Sequence, residues 1–185
     1  SIVIFTSDHG DALGDHGHIQ KWTMYDSVLR VPLIVWAPGL INKAATLDTP
    51  MELMAVAPTI LEACGIDTPE DWDAQSLWPC LKGAGDVPGD GVVYAELARD
   101  HIQTEAEFIV MRRDTGWKIV WYANEEDGEL YDLRSDPDET NNLWFDAAHQ
   151  SLRDGMLLDI RDRTIVGMLD GQHVPMPKPQ QPMSK

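Results

Sequence analysis

Ile2, Val3, Ile4 and Phe5 form an unbroken apolar run rich in β-branched residues, and it empties directly into Thr6, Ser7, Asp8, His9 and Gly10. A short apolar run without polar alternation is the pattern of a strand covered on both faces, as in a parallel sheet flanked by helices. That pattern predicts a layered α/β architecture, because such a strand needs neighbours beside it and cover above and below it. The polar residues then leave at the strand's carboxyl end, the edge at which open α/β sheets bind their ligands.

Successive side chains of an extended backbone point to opposite sides, but a turn at Gly10 lets Asp8 and His9 converge. A carboxylate oxygen beside an imidazole nitrogen suits a divalent cation of intermediate hardness. The run continues through Gly14, Asp15, His16 and Gly17 to Lys21 and Tyr25, and then to Arg30, Val31, Pro32, Leu33, Ile34 and Val35. This order resembles the sulfatase branch of the alkaline-phosphatase superfamily, in which an S-D-H-G or S-D-N-G strand tip leads through L-G-D-H-G to a lysine, a tyrosine and an R-V-P-L-I-V strand. Ala57, Pro58, Thr59, Ile60 and Leu61 are similar to the family's A-P-T-L-L helix, and Asp73 to Leu77 to its D-G-R-S-L turn. Glu129 to Leu133, followed by Asp136, Pro137, Glu139, Asn142 and Leu143, resembles the E-L-Y-D-L-x-x-D-P-x-E-x-x-N-L signature of the family's C-terminal subdomain.

The resemblance implies a partial alkaline-phosphatase-like fold, a mostly parallel sheet with helices, followed by a small antiparallel sheet and a helix. It implies Asp8 and His9 as metal ligands, and Lys21 as the residue that contacts the substrate oxygen and steadies the leaving group. His18 is a weaker substrate-binding candidate, with His16 beside it, while Asp11, Asp15, Tyr25 and Arg30 are expected to be structural, Arg30 through a carboxylate partner. The family's nucleophile is a formylglycine made in a C/S-x-P-S-R type motif, and neither Cys64 nor Cys80 stands in one. The formylglycine and the other metal carboxylates are therefore expected in an N-terminal part of the same protein that precedes Ser1. One divalent metal is implied: oxygen ligands favour calcium, and the imidazole of His9 brings in manganese.

Charge narrows the partners. The sequence carries 31 acidic and 14 basic side chains, a formal charge of −17, and this argues against nucleic acid, which is bound through basic patches. An acidic protein meets an anionic ester only through a local cation, so a metal and a placed lysine become more necessary. No stretch approaches the ~18 apolar residues of a membrane span. No signal peptide is visible, and the cytoplasm is a slight default. The two cysteines are expected as free, buried thiols.

Residues 31–36 read as a second buried strand. Thr49, Pro50 and Glu52 have the form of a capping box with proline at the first helical position, so a helix is expected from there, interrupted or kinked at Pro58 and closed at Gly65. A Gly- and Pro-rich loop over residues 83–91 separates this part from short β-prone runs at 92–97, 107–111, 117–122 and 129–133, an antiparallel meander. A helix is expected over residues 147–168, with Leu152, Met156, Leu157, Ile160 and Met168 on one face. The domain reading is 1–83 for the catalytic α/β part, 92–169 for the antiparallel subdomain with its helix, and 170–185 for a Pro-rich tail. The function implied is a sulfuric ester hydrolase acting on a small-molecule sulfate or phosphate ester. Two alternatives stay open: a phosphonate monoester hydrolase or phosphodiesterase of the same superfamily, and a non-catalytic metal-binding or assembly module. A homo-oligomer is also left open.

Overall fold

The computed structural model describes residues 1–98 and 106–170. The proline-rich tail from residue 171 lies outside the described residues. Strand β1 (Val3–Thr6) and strand β2 (Leu33–Trp36) form a two-stranded sheet, with Val3 opposite Trp36 and Phe5 opposite Ile34. The ladder is antiparallel, so the parallel pairing expected of the opening run is corrected for this chain: the neighbour that β1 finds here is β2. The expected double-sided burial is corrected as well. Val3, Phe5, Ile34 and Trp36 share one face and are each half or more exposed, Phe5 at 60%. Burial on both faces needs cover that these two strands do not receive from the described residues.

Between the two strands runs a long loop that ends in the four-residue helix α1 (Asp26–Leu29). Beyond β2, a 3-10 turn at Leu53–Ala55 leads into α2 (Val56–Ala63). The helix start expected at Thr49 is corrected, because the Glu52 carboxylate is engaged elsewhere: it accepts from the backbone N–H of Tyr94 at 2.9 Å and lies 3.8 Å from Arg163. Pro58 falls in the first turn of α2, where its missing N–H is not needed, and it interrupts nothing. Gly65, with φ of 72°, closes the helix as expected. Thr59 is buried and its hydroxyl accepts from Leu77 N at 2.8 Å, docking the segment before α3 (Trp78–Leu81). Cys64 and Cys80 are free, but Cys64 is exposed at the end of α2 and so not the buried thiol expected.

Strands β3 (Val93–Ala98), β4 (Phe108–Arg113), β5 (Trp117–Tyr122) and β6 (Gly128–Asp132) form an antiparallel meander in sequence order. The alternation of side chains gives this sheet two covered faces. On one, Val110, Ile119 and Leu130 pack with Trp144 against Met156 and Ile160 of α4 (Gln150–Asp170). On the other, Ile109, Met111 and Val120 pack with Met24 and Leu29, at the end of the long loop and in α1. Gly128 is where Trp144 seats, since a Cβ there would stand 2.5 Å from the indole. Among the described residues no helix is long and apolar enough to cross a membrane.

Candidate functional site

The loop after β1 is held by short-range hydrogen bonds that its own residue types supply. The Ser7 hydroxyl donates to His9 O at 2.8 Å, making the turn that brings Asp8 and His9 to one side. Asp8 accepts from the His9 backbone N–H at 3.0 Å, and that bond draws its carboxyl below the usual carboxylate range. His9 Nδ1 bonds to the carbonyl of Gly10 at 2.7 Å, and a carbonyl only accepts, so Nδ1 donates there and Nε2 is the nitrogen left to face Asp8. Nε2 stands 3.4 Å from Asp8 Oδ2 at an exposed strand tip. The two heads therefore converge, as the sequence suggested. Among the described residues no set of three or more His, Cys, Asp or Glu side chains is arranged to hold a metal, so this pair is at most two donors of a larger set.

Lys21 lies further along the same loop. The Asp11 carboxylate gathers the backbone N–H groups of Leu13 and Gln20 at 2.9 and 3.1 Å, and Ala12 N donates to Gln20 O, so the loop doubles back and presents Lys21 at its exposed end. The Lys21 ammonium sits 5.6 Å from the centre of the Trp22 ring, and among the described residues it makes no hydrogen bond or ion pair with Asp8 or His9. Asp11 is structural, as expected. His16 stacks flat on Tyr25 with ring centres 3.7 Å apart, and His18 is tilted against the same ring at 6.1 Å. Tyr25 in turn is tilted on Tyr131 of β6 at 6.3 Å. Burial, and then the charge of Glu129, push the hydroxyls of Tyr122 and Tyr131 well above the usual tyrosine range, so both stay protonated. Arg30 is exposed, and among the described residues it forms none of the carboxylate pairs expected of it.

Sequence reading missed the charged cluster behind the loop. Lys118 of β5 is fully buried and donates to Asp26 at 2.9 Å and to Glu139 at 2.6 Å. Arg113 adds a second cation 3.2 Å from Asp26, and the Asp26 backbone N–H donates to the other Glu139 oxygen at 2.8 Å. Glu139 belonged to a recognised run and Asp26 adjoins one, but their partner lies 21 and 92 residues away in sequence, separations that local pattern does not bridge. The rest of the C-terminal signature is also explained. Asp136 accepts from Thr140 N and Asn141 N, and Asn142 accepts from Leu130 N while donating to Gly128 O, so these residues bind the segment after β6 to β6 itself.

Residues 14–164 match the family described as N-sulphoglucosamine sulphohydrolase, C-terminal. The chain belongs to this sulfatase family. Among its relatives is an N-acetylglucosamine-6-O-sulfatase of Bacteroides thetaiotaomicron, 32% identical over 170 residues, which cover 89% of this chain and 30% of that protein. An arylsulfatase K of Xenopus laevis is 32% identical over 149 residues, 77% of this chain and 28% of that protein. The sulfatase chain thus spans about a third of the curated relatives it matches. Its fold is shared with a protein solved in complex with its substrate D-glucosamine-2-N,6-O-disulfate, at TM-score 0.77 and 27% identity over 92% of this chain and 36% of that one. It is equally close to a phosphonate monoester hydrolase from Silicibacter pomeroyi, at TM-score 0.77 and 26% identity over 89% of this chain and 34% of that one. These neighbours place this mixed helix and sheet chain among the alkaline-phosphatase-like folds.

Proposed function

We propose that this chain carries one part of the active site of a metal-dependent sulfuric ester hydrolase. Asp8 and His9 are two donors to a single divalent cation, calcium or manganese, and Lys21 is the side chain that meets the ester. The observation that carries the reading is the convergence of Asp8 Oδ2 and His9 Nε2 at 3.4 Å, with Nδ1 committed to Gly10. The pair supplies one carboxylate and one imidazole that face the same exposed space, the imidazole with its second nitrogen already oriented by Gly10. The bound cation would polarise the ester's oxygens and stabilise the charge that develops on them. Asp8 would supply anionic charge to hold it, and His9, its ring oriented by the Gly10 carbonyl, would supply a nitrogen donor. Lys21 places an ammonium against a sulfate oxygen or the departing alcohol oxygen, and Trp22 beneath it offers an apolar wall to an organic leaving group. His18 lines the same loop as a further substrate contact.

The nucleophile, a formylglycine by family resemblance, and the remaining metal carboxylates are assigned to an N-terminal part of the same protein. The uncovered apolar face of Val3, Phe5, Ile34 and Trp36 supports a larger sheet around residues 1–83, with residues 92–169 as the C-terminal subdomain. A second reading is hydrolysis of phosphonate monoesters or phosphodiesters, favoured by the equal likeness to the Silicibacter pomeroyi enzyme. Parallel assays of the full-length protein on an aryl sulfate and an aryl phosphonate monoester decide between them. The sulfatase reading expects the higher kcat/KM on the sulfate, abolished by a chelator and restored by metal. Preference for the phosphonate would move the assignment to the second reading, and turnover that survives complete metal removal would overturn both.

A further inference from the structure

Resting on the assignment of Asp8 and His9 as metal donors, we propose that the buried cluster of Lys118, Glu139 and Asp26 is a positioning device for that pair, acting through helix α1 and Gly10. The contacts form a continuous chain. Lys118 and Glu139 grip Asp26, the first residue of α1, by its carboxylate and by its backbone N–H. Two residues on, the carbonyl of Val28 accepts from Gly10 N at 2.7 Å. Gly10 is pressed against α1 so closely that a Cβ would lie 2.0 Å from the Ser27 oxygen, and its own carbonyl holds His9 Nδ1. The orientation of the imidazole therefore depends on where α1 sits, and α1 sits where the cluster holds it.

Cohesion alone is a poor account of this cluster. Apolar residues of similar volume hold a sheet and its cover together at least as well as a buried ion group. Glu139 also adopts φ of 55°, a left-handed backbone disfavoured for a residue with a β-carbon, and it uses both carboxylate oxygens from that position. What apolar packing cannot do is grip the polar start of a helix only four residues long, far too short to hold its own shape. The cluster does that, and it joins the antiparallel sheet to the strand tip.

The test is the apparent Mn²⁺ dissociation constant of the full-length protein, read from the EPR signal of free Mn²⁺ well below the melting temperature of every variant. Glu139→Gln retains the shape but turns a donor toward one of two existing donors, and it should weaken Mn²⁺ binding about tenfold, the lower end of what supporting residues of a metal site contribute. Asp26→Asn reads the same quantity should Glu139→Gln not fold. Leu130→Ala, buried on the α4 side of the same sheet, should lower the melting temperature at least as much and leave Mn²⁺ affinity unchanged. Wild-type affinity in Glu139→Gln alongside lost affinity in Asp8→Ala would overturn the positioning role and leave the donor assignment standing. Equal weakening in Leu130→Ala would reduce the cluster to a stability element. Wild-type affinity in Asp8→Ala would instead remove the donor assignment itself.

Discussion

Replacing Lys118 by methionine removes the one cation that the buried Glu139 and the partly buried Asp26 share, while nearly conserving volume. The Lys118 side chain is wholly buried, and its ammonium is 2.6 Å from Glu139 and 2.9 Å from Asp26. Arg113 remains beside Asp26, so the uncompensated charge falls on Glu139, itself 3% exposed. Breaking a buried pair from one side costs about 3–5 kcal/mol, far more than the pair's net contribution, because the remaining charge stays out of water. In a chain of 185 residues that corresponds to a drop of roughly 6–20 °C in melting temperature, at about 2–4 °C per kcal/mol. The loss should also depend on pH. Burial pushes the Glu139 carboxyl up, Lys118 pulls it partly back, and the net lies above its ordinary value. A carboxyl that binds its proton more tightly when folded lends its stability below its unfolded pKa and loses it as pH rises through the folded one. Without Lys118 that folded pKa moves further up. The deficit of Lys118→Met should therefore be smaller at mildly acid pH than at mildly alkaline pH. Urea titrations followed by tryptophan fluorescence measure it, since Trp144 is buried in the core on the sheet's other face and reports on its unfolding. A deficit under about 1 kcal/mol, or one of equal size at both pH values, would refute the reasoning.

Gly10→Ala must push α1 away from the strand tip, and it should cost about 1–3 kcal/mol together with a measurable loss of Mn²⁺ affinity; unchanged affinity would separate α1 from the metal donors. Gly128→Ala drives a methyl into the Trp144 ring and should cost about 1–3 kcal/mol in urea titrations without touching Mn²⁺ affinity. Lys21→Ala, in the full-length protein, should retain its metal while kcat/KM falls roughly 10²–10⁴-fold, least for esters with good leaving groups. A loss equal across leaving groups would make Lys21 a ground-state binding residue instead.

Strand and turn chemistry was largely legible in the chain. The four strands of the meander fall within a residue or two of the β-prone runs at 92–97, 107–111, 117–122 and 129–133, because each run is bounded by residues that favour turns, such as Asp114 and Gly116, or Asn124 and Gly128. The final helix was legible from its apolar spacing, with Met156 and Ile160 buried as expected. The helix start at Thr49 misled, since a capping box counts only residues close in sequence. Glu52 is instead bound to Tyr94 and Arg163, far along the chain. At the candidate site the Asp8 and His9 convergence follows from a local turn and was readable. The grip of Lys118 on Asp26 and Glu139 was not, because a lysine in a β run, Trp117 to Tyr122, reads as a solvated edge residue until its distant partners are in place.

The central claim is that His9 Nε2 and Asp8 together hold a divalent cation, and pulsed EPR of the Mn²⁺-loaded full-length protein tests it most directly. Coordination by the imidazole should give a ¹⁴N modulation that disappears in His9→Ala, while Asp8→Ala should lower the Mn²⁺ stoichiometry itself. A ¹⁴N modulation unchanged in His9→Ala, with full stoichiometry in Asp8→Ala, would place the metal elsewhere and contradict the account.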